Sequence, residues 1–116
     1  MPRKPIISPE IQAEVQKLVD EFNQENFNDE EFKELEIVGY SVRFKGKYLY
    51  LDRDDYGKPS PICRLTWNGK IDNWDFAIYK YSDNCYDPEE WAFPGAELVD
   101  GTVTGAMKAG MEAYDV

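Results

Sequence analysis

From Ile37 to Tyr81 the apolar residues recur at every second position, in two stretches each interrupted by a glycine-containing pair. An alternation of two is the signature of a strand with one dry face and one wet face. "VGYSVRF-KG-KYLYLD" therefore reads as a hairpin turning at Lys45-Gly46, and "ICRLTW-NG-KIDNWDFAIY" as a second turning at Asn68-Gly69. With those turns Phe44 faces Lys47, Val42 faces Leu49 and Tyr40 faces Leu51, while Arg43 meets Tyr48 and Ser41 meets Tyr50. In the second hairpin Cys63, Leu65 and Trp67 share a face with Trp74, Phe76 and Ile78. Arg64 and Thr66 share the other with Ile71, Asn73, Asp75 and Tyr79. Two independent segments thus give the same result: one oily face and one face rich in tyrosine and arginine.

Helices flank this sheet. "SPEIQAEVQKLVDEFN" has Ser8 to cap it, Pro9 in the first helical position, and Ile11, Val15, Leu18, Val19 and Phe22 on one stripe. "FNDEEFKEL" suggests a second, shorter helix, with Asn28 and Glu31 as a capping box and Phe27 and Phe32 as its staple. "DGTVTGAMKAGMEAY" is a final helix with Val103, Met107, Met111 and Tyr114 on one stripe, and Gly105, Ala106, Ala109, Gly110 and Ala113 beside them. Glycine in a helix interior costs about 1 kcal/mol, so close packing on the sheet is the expected compensation. The connector "RDDYGKPSP" reads as a turn between hairpins. Residues 82–101 form a long link in which "YDPEEW" can hold one helical turn capped by Asp87.

The expected fold is one α+β domain: helical residues 8–36, a four-stranded antiparallel meander over 37–81, the link 82–101, and a C-terminal helix over 102–114. The helices should cover Val42, Leu49, Leu51, Leu65, Trp67, Trp74, Phe76 and Ile78. The order of helix, "YSVRFKGKYLYLDRD" hairpin, "W…W-x-F-x-I-Y-x-Y" hairpin, "Y-D-P" and closing helix resembles a family of small bacterial domains of unknown function. The resemblance implies the fold, from about Ile11 to Ala113, and carries no catalytic motif. "FPGAELVDGT" and the glycine-rich last helix depart from that pattern.

Much chemistry is excluded. The chain has no histidine, which removes the commonest general base and zinc ligand. Cys63 and Cys85 make neither a disulfide framework nor a metal site; Cys63 falls on the oily face and Cys85 sits among carboxylates that blunt it as a nucleophile. "DRDDYG" begins like a calcium loop at Asp52, Asp54 and Gly57, but Tyr56 stands at a ligand position and Cys63 where the twelfth-position glutamate belongs. "GTVTGAMK" has the wrong spacing for a phosphate loop. Asp72 and Asp75, flanking Trp74, are the only carboxylates placed for acid/base work, and Asp75 is expected instead to pair with Arg64 across the hairpin. No catalytic residue, metal or cofactor is expected.

The net charge of −10 is concentrated in two acidic flanks, 10–36 at −8 and 82–116 at −7, around a mildly basic centre. Such a surface opposes nucleic acid and anionic lipid, and no apolar run is long enough to span a membrane. The start, "MPRKPIISPEI", lacks the apolar stretch of a secretory signal, so a cytoplasmic protein is expected.

The second face holds Arg43, Tyr48, Tyr50, Arg64, Tyr79 and Tyr81. Three readings compete for it. The link folds over it, with Tyr86, Trp91 and Phe93 packing on the tyrosines. The face is open and binds a protein, a basic one if the net charge decides. Or it stacks single-stranded nucleic acid or an aromatic ligand, which the acidic flanks oppose where the ligand is a polyanion. The favoured function is a non-catalytic protein-interaction module using this face. The alternative is a small-molecule binder or modest enzyme with a pocket between the face and residues 82–101.

Overall fold

The computed structural model describes residues 6–27, 30–34, 39–55, 58–90 and 92–114. The chain runs α1 (Pro9–Asn26), α2 (Glu30–Glu34), β1 (Gly39–Lys45), β2 (Tyr48–Asp55), β3 (Lys58–Thr66), β4 (Asp75–Lys80), β5 (Cys85–Asp87), a single 3-10 turn (Ala96–Leu98) and α3 (Val103–Ala113). The strands form one antiparallel sheet in the order β1-β2-β3-β4-β5. The domain is α+β, with a helix at each end and five strands where the sequence suggested four. No described helix is long and apolar enough to cross a membrane.

Side-chain alternation survived where turn positions did not. In the first hairpin Lys45 pairs with Tyr48, Phe44 with Leu49, Val42 with Leu51 and Arg43 with Tyr50. Gly46 and Lys47 make the turn, one residue later than expected. Gly46 has φ +61° and Lys47 does not go positive, the sign pattern of a II′ hairpin turn with glycine first. The shift moves each partner by two positions, so every side chain keeps its face.

The second hairpin has no two-residue Asn68-Gly69 turn. Its pairing ends at Thr66 and Asp75, and residues 67–74 form a longer loop. Trp74 organises that loop: its indole donates to the Ile71 carbonyl at 3.0 Å, its N–H to the Gly101 carbonyl at 2.8 Å, and its ring lies 4.9 Å from Trp67.

The polar "RDDYGKPSP" segment is strand on both sides rather than connector, with Asp52 opposite Pro61, Arg53 opposite Ser60 and Asp54 opposite Pro59. Tyr56 and Gly57 lie outside the described residues. Two prolines are tolerated in β3 because β4 pairs only with Cys63–Thr66, leaving the Pro59–Pro61 half at an open edge. There the Pro61 carbonyl accepts the Tyr81 hydroxyl at 2.9 Å. A register shift near Leu51/Asp52 lets Ile62 join the core at 1% exposure.

Helix α1 starts as the sequence dictates, with Ser8 Oγ accepting the Ile11 N–H and Pro9 in the first turn. It lies along the outer edge of β1. Ile7 N–H donates to the Gly46 carbonyl at one end, and at the other the Asn23 amide both donates to and accepts from the Tyr40 backbone at 2.8 Å. The lengths match: Ser8 to Asn23 rises about 22 Å as helix, and Tyr40 to Gly46 spans about 20 Å as strand. Asn23 thereby stands in for a neighbouring strand and blunts an edge that would invite aggregation. The expected capping box cannot be followed, because Asn28 and the Phe32 side chain lie outside the described residues.

The oily face is buried as expected. Leu49, Leu51, Cys63, Leu65, Trp74, Phe76 and Ile78 join Val15, Val19 and Phe22 of α1 and Val103, Ala106 and Met107 of α3 in one cluster. Val42 and Trp67 pack at its margin. Gly110 is the close-approach glycine: a Cβ there would lie 2.6 Å from Ile62 Cγ2 and would collide with the Tyr40 hydroxyl, which donates to the Met107 carbonyl at 2.7 Å. One charged residue on this face was not foreseen. Arg53 is 2% exposed, and one of its terminal nitrogens donates to Met111 Sδ at 3.8 Å.

Candidate functional site

The described residues of 82–101 do not form a roof of aromatic side chains over the tyrosine face. They divide. Residues 81–84 make a turn, with Asn84 at φ +51°, and Cys85–Asp87 then pair with β4 as a fifth strand. Asp87 caps a short turn, its carboxylate accepting the Glu89 N–H at 2.9 Å, rather than opening a helix. Beyond it the chain crosses to the oily side, where Phe93 stacks on Phe76 at 5.8 Å. Trp91 lies outside the described residues. Of the three aromatics expected to cover the face, Tyr86 instead becomes part of it and Phe93 leaves it.

Strand pairing sets Tyr86 opposite Tyr79, and small Ala77 between Arg64 and β5 leaves its ring room to reach across. A continuous ladder of rings results. Tyr48 lies 6.2 Å from Tyr50, Tyr50 lies 5.4 Å from Tyr86, and Tyr86 lies 5.0 Å from Tyr79. Tyr79 lies 4.9 Å from Tyr81, and Tyr81 lies 5.3 Å from Tyr114 at the end of α3. Edge-to-face and tilted contacts of this kind contribute about 0.5–1.5 kcal/mol each beyond burial. Two hydroxyls tie the far end down: Tyr81 to the Pro61 carbonyl and Tyr114 to the Tyr79 carbonyl.

Cations sit on the near end. Arg43 lies over Tyr50 at 4.9 Å, Lys47 over Tyr48 at 5.3 Å, and Arg64 over both Tyr48 at 4.7 Å and Tyr86 at 5.5 Å. Arg43 also forks onto Asp52, at 2.7 Å from Nε and 3.4 Å from the second nitrogen. That hydrogen bond raises the Arg43 pKa above its ordinary value. Burial pushes the Tyr86 hydroxyl up to about 12, with the Asp52 charge adding to the effect and Arg43 opposing it. Tyr86 is therefore a neutral hydrogen-bond donor at physiological pH.

Ser41, Arg43, Asp52, Pro59, Pro61, Tyr79 and Tyr86 line an open depression of about 550 Å³, with at least one residue from each strand. Of the six residues chosen from sequence, Arg43, Tyr48, Tyr50, Arg64 and Tyr79 are brought together around Tyr86. Tyr81 stands at the margin, 48% exposed. Tyr86 and Asp52 were missed as members. The alternation of "CYD" was too short to read as a strand, and Asp52, the last residue of the expected first hairpin, was weighed only as a calcium-loop ligand.

Asp75 lies opposite Thr66 and accepts from the Asn68 amide at 3.5 Å, while Arg64 lies opposite Ala77, so the expected Arg64–Asp75 pair does not form. Asp72 and Asp75 are both exposed. Cys63 is fully buried, and burial pushes its thiol far above the ordinary range. Cys85 is an exposed free thiol. Among the described residues no group of three or more Cys, Asp or Glu could hold a metal ion. Comparison with family models, with curated proteins and with solved structures returned no match.

Proposed function

We propose that the domain is a non-catalytic protein-interaction module whose partner docks on the tyrosine/arginine face. The observation that carries this reading is the ring ladder from Tyr48 to Tyr81, studded with Arg43 and Arg64 and left partly exposed. Tyrosine and arginine are the residues that dominate binding energy at interface centres. Rings already packed on one another lose little further freedom on binding, which lowers the entropic cost of docking.

The alternative, a small-molecule site, is favoured by the depression, which lies within the roughly 300–1,000 Å³ range of ligand pockets and which Tyr86 of the 82–101 segment helps to line. Its openness to solvent places it second. The test is co-purification of partners with the tagged chain and with a Tyr50→Ala/Tyr79→Ala variant of unchanged far-ultraviolet circular dichroism. Loss of partners retained by a Lys17→Ala control is expected. Retention of the same partners by the tyrosine variant would overturn the proposal.

A further inference from the structure

We infer that Arg64 is an anion anchor on this face, and that the protein segment docking there carries an acidic side chain which Arg64 takes up. The inference rests on the docking role proposed above and names its partner's chemistry. The chain's net charge alone points toward a basic partner; the face does not.

Each charge on the face has a distinct situation. Arg43 is satisfied by Asp52. Asp75 is engaged by Asn68. Asp54 lies four residues along β2 from Tyr50, the partner of Arg64, hence roughly 13 Å away. Arg64 forms no ion pair among the described residues, and its Nε is buried without a hydrogen-bond acceptor. Arginine cannot relieve this by losing its proton. An unmet buried donor costs about 1–3 kcal/mol, more when charged, so an orphan of this kind requires a reason.

Position supplies one. With its carbon centre over Tyr48 and Tyr86 and its Nε closed off, the guanidinium has its terminal N–H groups left to meet an incoming carboxylate, which they can do bidentately. The Tyr86 ring against it carries a hydroxyl that remains a donor. The rings also remove water, which strengthens any charge pair formed there. A nucleic acid strand fits less well. Binding of that kind draws its affinity from many neutralised phosphates, and this face offers Arg64 with Lys45 and Lys47 inside a chain of net charge −10. One or two carboxylates on a short segment match it.

The test follows the Arg64 Nε–Hε resonance of the ¹⁵N-labelled full chain during titration with a capped Gly-Glu-Glu-Glu-Gly peptide. A lysine peptide of the same length and an oligothymidylate serve as comparators. The inference requires a saturable Arg64 shift with the acidic peptide. It also requires affinity to fall about ten- to hundred-fold in Arg64→Gln, the range of a lost charge-assisted hydrogen bond. Arg64→Lys, which keeps the charge without the fork, should lose part of that affinity. An acidic peptide that binds Arg64→Gln equally well, or no saturable shift, overturns the anchor. If the lysine peptide instead saturates and moves the tyrosine resonances, the anchor falls while the docking face stands. If the oligothymidylate binds more tightly than either peptide, both fall.

Discussion

Trp74→Ala is expected to destabilise the domain by about 3–5 kcal/mol, the range for emptying a large aromatic site. The residue is 3% exposed, and three things depend on it. Its ring fills the oily face against Trp67. Its indole N–H closes the 67–74 loop on Ile71. Its backbone N–H ties that loop to Gly101, two residues before α3 begins. The first two are lost with the side chain. Domains of this size have total stabilities of about 5–15 kcal/mol, so the variant should melt tens of degrees lower or fail to fold. Urea denaturation measures it. Trp67→Ala, at a half-buried position, is the control and should cost clearly less. A Trp74→Ala loss below that of Trp67→Ala would mean that the loop does not pack as described.

Gly110 should behave against its helix propensity. Alanine is better than glycine in a helix interior by about 1 kcal/mol, so propensity alone makes Gly110→Ala stabilising. Here the added methyl would meet Ile62 Cγ2 at 2.6 Å and the Tyr40 hydroxyl. Moving Tyr40 sacrifices its buried hydrogen bond to Met107, worth about 1 kcal/mol. Overpacking adds about 1–3 kcal/mol more. The losses exceed the gain, and Gly110→Ala should be destabilising by about 1–3 kcal/mol; Gly110→Leu should lose more and compromise folding. Gly110→Ala combined with Ile62→Ala should cost less than the sum of the two single variants, because the two share one space. A stabilised Gly110→Ala would show that α3 stands further from the sheet.

Which residues share a face was legible in the sequence because side-chain parity is robust. A hairpin that turns one residue later shifts its pairing by two and leaves Val42, Leu49 and Leu51 together. Turn positions were less legible. Asn68-Gly69 is a strong hairpin signal, yet Trp74 has more to gain by folding under the sheet than by extending the ladder. The segment Arg53–Pro61 looked like a connector because its side chains are mostly polar and two are proline. Its composition has other causes: Arg53 lies under Met111, and the prolines occupy a length of β3 with no β4 partner. The sheet residues Arg43, Tyr48, Tyr50, Arg64 and Tyr79 share one face, as their alternation in the sequence implies. Tyr86 escaped because a strand of three residues has no period to detect, and its role depends on the small size of Ala77 in the neighbouring strand.

Nitration of the native chain, with modified tyrosines mapped by mass spectrometry, tests whether the tyrosine ladder faces outward. Tyr81 should react first, followed by Tyr48, Tyr50 and Tyr79. Tyr86 and Tyr114, whose burial raises their pKa values, should lag. Tyr40, 4% exposed and bonded to Met107, should stay unmodified until the protein is unfolded in urea. If Tyr48, Tyr50 and Tyr79 prove as protected as Tyr40 in the native state, the face is covered and the proposed docking surface does not exist.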